Sequence, residues 1–220
     1  MLTAARRHPS AILLFAQLGA VLVYPFLEDS DAGRAIFSAL GIGFLALVVV
    51  AVRSSPALTP VALLLALPAT VLLLIQATGD HESLLGWSSA LEAALYFYAA
   101  YALVRYMLAD HDITTDELFA VGATFTLVAW AFAYVFQVVQ AVEPGSFTAA
   151  VDPQENRSWM ELLFLSFTTL TSTGLSDVVP VKAFARAVVM IEQLAGLGYV
   201  ALVVSRLVGL MVLGRQRRAG

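Results

Sequence analysis

Apolar runs separated by short polar breaks organise this chain. Six runs, at 11–27, 35–52, 61–76, 85–108, 117–142 and 184–213, approach or exceed the roughly 20 residues that a helix needs to cross a bilayer. The breaks are polar: 28–34 is acidic, 54–60 is a tight turn holding Pro56 and Pro60, 77–83 reads ATGDHES, and 143–157 is a longer polar loop. Pro68 lies inside the third run and predicts a kink. Thr114-Thr115-Asp116-Glu117 has capping-box spacing and predicts the start of the fifth helix. Residues 158–171 begin apolar and end polar. They are too short to cross, and predict a short helix aimed into the bilayer. The expected fold class is an all-α membrane protein with six transmembrane helices and a re-entrant helix and loop between helices five and six.

Composition agrees: 60% of the 220 residues are hydrophobic and 13% charged, far from a soluble domain. There is no cysteine, which excludes disulfides, thiol chemistry and cysteine metal sites. The formal charge of −4 argues against nucleic acid as a partner. The opening MLTAARRHPS resembles a signal-peptide start. Its apolar run ends at Tyr24-Pro25-Phe26-Leu27-Glu28 without a small-residue cleavage site, so an uncleaved first span is expected. The basic residues Arg6, Arg7, Arg53, Arg105, Arg215, Arg217 and Arg218 set the cytoplasmic side. Glu28, Asp29, Asp31, Asp80, Glu82, Glu143, Asp152 and Glu155 then face outward. Both termini are expected inside, in the cell inner (plasma) membrane, with the short loop entering from outside. The acidic linker 110–117 falls on the inner side, but acidic residues contribute little to orientation.

The chemistry concentrates at 166–180, SFTTLTSTGLSDVVP. Polar backbone at membrane depth is tolerated where protein or a water-filled cavity surrounds it. A run of threonine, serine and glycine there offers hydroxyls and carbonyl oxygens to a dehydrated cation. TTLTSTGLSD (168–177) resembles the selectivity-filter region of tetrameric potassium channels, TTLTTVGYGD. Ser172, Thr173, Gly174, Leu175 and Ser176 stand where that family has T-V-G-Y-G, and Asp177 and Pro180 match its D-x-x-P exit. FARAVVMIEQLAGLGYVALVVSRLVG (184–209) resembles the inner helix of the bacterial members, and EPGSF (143–147) the end of their outer helix. The likeness covers 114–213, strong in the flanks and weak in the filter. STGLS, with its single glycine, also resembles the pore loops of the Trk/Ktr/HKT potassium transporters, which carry four such loops where this chain has one.

The resemblance implies a homotetramer in membrane lipid with no small-molecule substrate. Its ion path would run along Thr171, Ser172, Thr173, Gly174, Leu175, Ser176 and Asp177, with K+ at Ser172, Thr173 and Gly174. The permeant ion is K+, with Na+ left open. Ser176 replaces a glycine whose role in the family is to allow alternating dihedrals, and serine tolerates positive φ poorly. Leu175 lacks the phenol that braces the usual filter. Asp177 is read either as part of a cation-concentrating ring, which Lys182 and Arg186 would partly neutralise, or as a structural acceptor. On the inner helix Gly196 falls at the family's gating glycine, where hinge and close packing are both open. Glu192 is expected to face the cavity or a neighbouring helix. Arg206 reads as a lipid anchor. Trp159 and Glu161 read as interfacial packing and capping at the start of the pore helix.

Residues 1–110 are expected to form a four-helix scaffold and 111–220 a pore module. A voltage sensor needs several arginines on the fourth span, and Arg105 is the only basic residue between 85 and 108. Glu92 in that span is either functional or close to the outer interface. No HExxH, GxSxG or phosphate loop is present, so no enzyme is expected. After Leu213 seven residues follow, and no ligand-sensing domain is expected. Two functional readings follow: a monovalent cation channel, potassium-conducting or weakly selective, and a non-conducting pore-fold protein with a structural or regulatory role.

Overall fold

The computed structural model describes residues 9–26, 41–50, 59–76, 82–109 and 114–219, except for the side chains at 82 and 207–219. In order, the elements are α1 (Pro9–Val23) with a 3₁₀ turn at Tyr24–Phe26, α2 (Gly41–Val50), α3 (Thr59–Gln76), α4 (Glu82–Met107), α5 (Thr115–Val142), β1 (Phe147–Thr148), α6 (Trp159–Leu170), β2 (Val179–Pro180) and α7 (Ala183–Ala219). Helix α3 runs unbroken through Pro68. The remainder of the expected second span, the basic residues at 6, 7 and 53, and the side chains at 215–218 lie outside the described residues.

Among the described residues, four helical segments are long and apolar enough to cross a membrane: Pro9–Phe26, Thr59–Gln76, Thr115–Val142 and Ala183–Arg206. Helix α4 is long enough at 26 residues but more polar, and it is not among them. Three of its polar side chains turn inward. Ser88, Ser89 and Glu92 are all buried, with Ser89 donating to Gln137 on α5 at 3.0 Å. Glu92 is 3% exposed and hydrogen-bonded to Tyr134, which places it inside the helix bundle.

Helix α5 is the centre. Its apolar stretch is 61% buried, against 17% for α1, α3 and α7. Small residues make this possible: Ala120, Ala123, Ala129, Ala131 and Ala133 are all buried and let neighbouring helices approach closely. One core joins α1 to α4 onto α5 through Leu13, Phe44, Ala66, Tyr96 and Trp130. A second joins α5, α6 and α7 through Phe132, Phe136, Leu162, Leu165 and Val189. Helix α1 is pinned by Asp116, which accepts from the backbone N–H (3.1 Å) and hydroxyl (2.9 Å) of Ser10 and from Tyr106 (3.3 Å). Asp116, which the sequence places in the acidic linker, is therefore a buried acceptor in the first turn of α5.

The segments either side of α6 are stitched together. Strands β1 and β2 pair antiparallel, Phe147 opposite Pro180 and Thr148 opposite Val179. Val181 N–H donates to Ser146 carbonyl at 2.9 Å. The chain thus leaves α5, passes through α6 and returns to α7 with both flanks of the short helix tied together.

Candidate functional site

Helix α6 spans twelve residues, about 18 Å at 1.5 Å per residue, well short of the roughly 30 Å hydrocarbon core. Its start is built by a complete capping box. Glu161 N–H donates to Ser158 Oγ at 3.3 Å, and Ser158 N–H donates to Glu161 Oε2 at 2.6 Å. The other oxygen of Glu161 accepts from Arg157 Nη1 at 2.9 Å. Arg157 is buried, and its guanidinium also reaches the carbonyls of Val151, Asp152 and Glu155. Its backbone exchanges two hydrogen bonds with the Gln140 side chain on α5, at 2.8 and 3.1 Å. Sequence reasoning missed Arg157; the available signal was its position four residues before Glu161. Trp159 sits inside an aromatic cluster, 5.4 Å from Tyr24, 5.1 Å from Trp130 and 5.9 Å from Tyr134, ring centroid to centroid.

The end of α6 is a Schellman cap made without glycine. Thr171 is the C-cap, and Ser172 follows in the left-handed region at φ +57°. Ser172 N–H donates to Thr169 carbonyl and Thr173 N–H to Thr168 carbonyl, both at 3.0 Å. Gly174 N–H adds a third bond to Thr168 carbonyl at 3.2 Å. Gly174 is left-handed as well, at φ +63°, so positive φ recurs at alternate residues. Ser176 does not share it; its hydroxyl instead accepts from Val178 N–H at 3.0 Å.

The hydroxyls fold back on the loop. Thr171 donates to Phe167 carbonyl at 2.6 Å and lies 3.1 Å from Thr173 Oγ1, which reaches Thr168 carbonyl at 3.3 Å. A hydroxyl that spends its hydrogen on a carbonyl keeps lone pairs for a cation. Thr171 through Leu175 and Asp177 are exposed, and Ser176 is half-buried. Thr171–Asp177 therefore forms one exposed, mostly polar loop that presents several oxygen atoms. Leu175 is the apolar exception, at 75% exposed. Among the described residues no His, Asp or Glu cluster could hold a metal ion.

Lys182 turns to Glu143 (3.8 Å) and Pro144 carbonyl (2.7 Å), and Arg186 donates to Pro180 carbonyl. Both hydrogen-bond to the flanks of the loop.

Helix α7 faces α6 and α5 along one buried stripe: Ala185, Val189, Glu192 and Gly196. Glu192 is fully buried and hydrogen-bonded to Ser166 on α6. This selects the neighbouring-helix position over the cavity. At Gly196 a Cβ would stand 2.9 Å from the Cα and carbonyl carbon of Leu170, and closer still to its oxygen. Gly196 is thus a close-packing residue within an uninterrupted helix. Further along, Tyr199 donates to Val121 carbonyl at 2.6 Å, and Arg206 pairs with Glu117 at 3.4 Å. Glu117 is itself buried, so Arg206 has a protein partner that its reading as a lipid anchor does not include.

A mostly helical bundle with membrane-length apolar helices defines an all-α membrane protein. Residues 93–212, more than half of the chain, match the ion channel family, and the chain belongs to that family. No curated protein and no solved structure matches it.

Proposed function

We propose that four copies of this chain close around the loop Thr171–Asp177 and conduct monovalent cations, K+ in the first place, as a potassium-conducting or weakly selective channel. The observation that carries this reading is the loop itself. It is polar and exposed, its hydroxyls are drawn back onto its own backbone, and positive φ at Ser172 and Gly174 varies the direction of successive carbonyls.

In this reading α2 and α4 belong to two further spans beside the four apolar ones, α6 enters from the outer face, and both termini are cytoplasmic. Residues 1–110 are the scaffold and 111–220 the pore module. The outward faces of α7 support assembly. Phe184, Ile191, Leu194 and Leu197 are 56%, 60%, 70% and 58% exposed on a single chain, and need lipid or neighbouring copies to cover them. A single loop per chain encloses an axial path when copies are arranged with cyclic symmetry.

The test is ion flux through purified protein in liposomes under potassium and sodium gradients. A variant carrying Ser172→Thr, Thr173→Val, Leu175→Tyr and Ser176→Gly is measured beside it. Potassium flux above sodium flux in the wild type supports a selective channel, and equal fluxes support a weakly selective pore. No flux in the wild type with flux in the variant would replace this reading with the non-conducting one. No flux in either would sink it.

A further inference from the structure

Glu192 is fully buried in α7, and no cation pairs with it among the described residues. One of its carboxyl oxygens contacts Ser166 Oγ, and the other, Oε2, has no partner. Ser166 Oγ also lies 2.8 Å from Ala129 carbonyl on α5. Serine owns one hydrogen, and a backbone carbonyl can only accept. If Ser166 donates to Ala129, the contact with Glu192 holds when the hydrogen in it belongs to Glu192. The chain then closes in one direction: Glu192 hydroxyl to Ser166 hydroxyl to Ala129 carbonyl. An ionised carboxylate here would instead leave a charged oxygen buried and bare, which is costly.

The position of this contact gives it a consequence. Ser166 and Leu170 are one turn apart on α6, and Glu192 and Gly196 are one turn apart on α7. The two pairs meet in register, by hydrogen bond at one level and by backbone contact at the next. Between Ser166 and Leu170 lies Thr168, whose carbonyl holds Thr173 N–H and Gly174 N–H. Whatever fixes α6 at Ser166 therefore fixes the origin of the loop.

We propose that Glu192 is a positioning residue for ion selection: by donating a hydrogen to Ser166 it sets the place of α6 and, through the Thr168 carbonyl, of the loop at Thr173 and Gly174. This rests on the channel reading above.

The experiment uses the full chain in liposomes, as wild type, Glu192→Gln, Glu192→Ala and Ser166→Ala. Two readouts are taken: the potassium-to-sodium flux ratio, and the infrared carboxyl bands. Glu192→Gln keeps a donor of the same shape and should keep the wild-type ratio. Glu192→Ala and Ser166→Ala should each lower it by about fivefold, the worth of one hydrogen bond. In the infrared, the wild type minus Glu192→Gln difference should contain a carboxylic-acid C=O stretch, which Ser166→Ala shifts upward. A carboxylate band in that difference, a Gln variant that behaves like Ala, or an unchanged ratio in both Ala variants would each overturn the proposal. A wild type without flux or discrimination would instead defeat the selective-channel reading, and the infrared bands would still decide whether Glu192 is the donor.

Discussion

Arg206 on α7 reaches back to Glu117 in the first turn of α5, its Nη2 3.4 Å from Oε1 and 3.5 Å from Oε2, although 89 residues separate them in the chain. The pair lies at the end of the bundle opposite the polar loop. Glu117 is 5% exposed, so removing the arginine takes an opposite charge away from a buried carboxylate. Arg206→Met should lower the thermal stability of the purified protein in detergent more than the double variant Glu117→Gln/Arg206→Met does. The coupling energy from the cycle should be about 1–3 kcal/mol. Additive effects of the two changes would mean that the contact holds nothing.

Gly196 gives a sharper steric test. Its missing Cβ is replaced by the backbone of Leu170, which cannot rotate aside as a side chain would. Gly196→Ala should destabilise by about 1–3 kcal/mol, the usual cost of overpacking. Gly198→Ala is the control, since among the described residues its Cβ meets no atom of another element within 4 Å. An alanine at 198 removes a helix glycine and should be neutral or stabilising by up to about 1 kcal/mol. A loss at 198 would report a neighbouring copy packed on that face.

Ser172 carries left-handed strain that glycine would relieve. At φ +57° a side chain costs about 1–2 kcal/mol, part of which the two cap hydrogen bonds offset. Ser172→Gly should therefore raise the melting temperature, and Ser172→Val should lower it, with Ser172→Ala between. The reverse order would show that the hydroxyl matters more than the backbone angle.

These residues also mark what the sequence could and could not reveal. The bounds of α6 were close to legible: 158–171 predicts a short helix, and the structure has Trp159–Leu170 with caps at Ser158 and Thr171. Caps and apolar period are local, so local residues encode them. The start of α5 was legible for the same reason, with Thr114 Oγ1 accepting from Glu117 N–H at 3.2 Å. The strained residue of the loop was not. Attention falls on Ser176, because it stands at a glycine position, whereas the left-handed residue is Ser172. A helix that ends there needs a left-handed C′ residue, and the usual glycine signal is absent. The partners of Glu92, Glu192 and Arg206 were hidden too. A charged residue in an apolar run announces that it needs a partner; which one depends on how α4, α5 and α7 stack, and that is a property of packing between distant segments.

Arg157 follows the same logic and gives the last prediction. Its planar fork serves four acceptors at once: Glu161 and the carbonyls of Val151, Asp152 and Glu155. Lysine keeps the charge but presents a point ammonium in place of five fixed donors, so it cannot satisfy all four. Arg157→Lys should therefore free the 151–157 segment without displacing α7. Amide hydrogen exchange should quicken across 151–157 and at the first turn of α6, while exchange in 185–200 stays as in the wild type. Ser158→Ala removes one cap bond and should cost about 1 kcal/mol, less than the arginine change. Equal exchange rates in wild type and Arg157→Lys would mean that the β1–β2 pairing alone holds the segment in place.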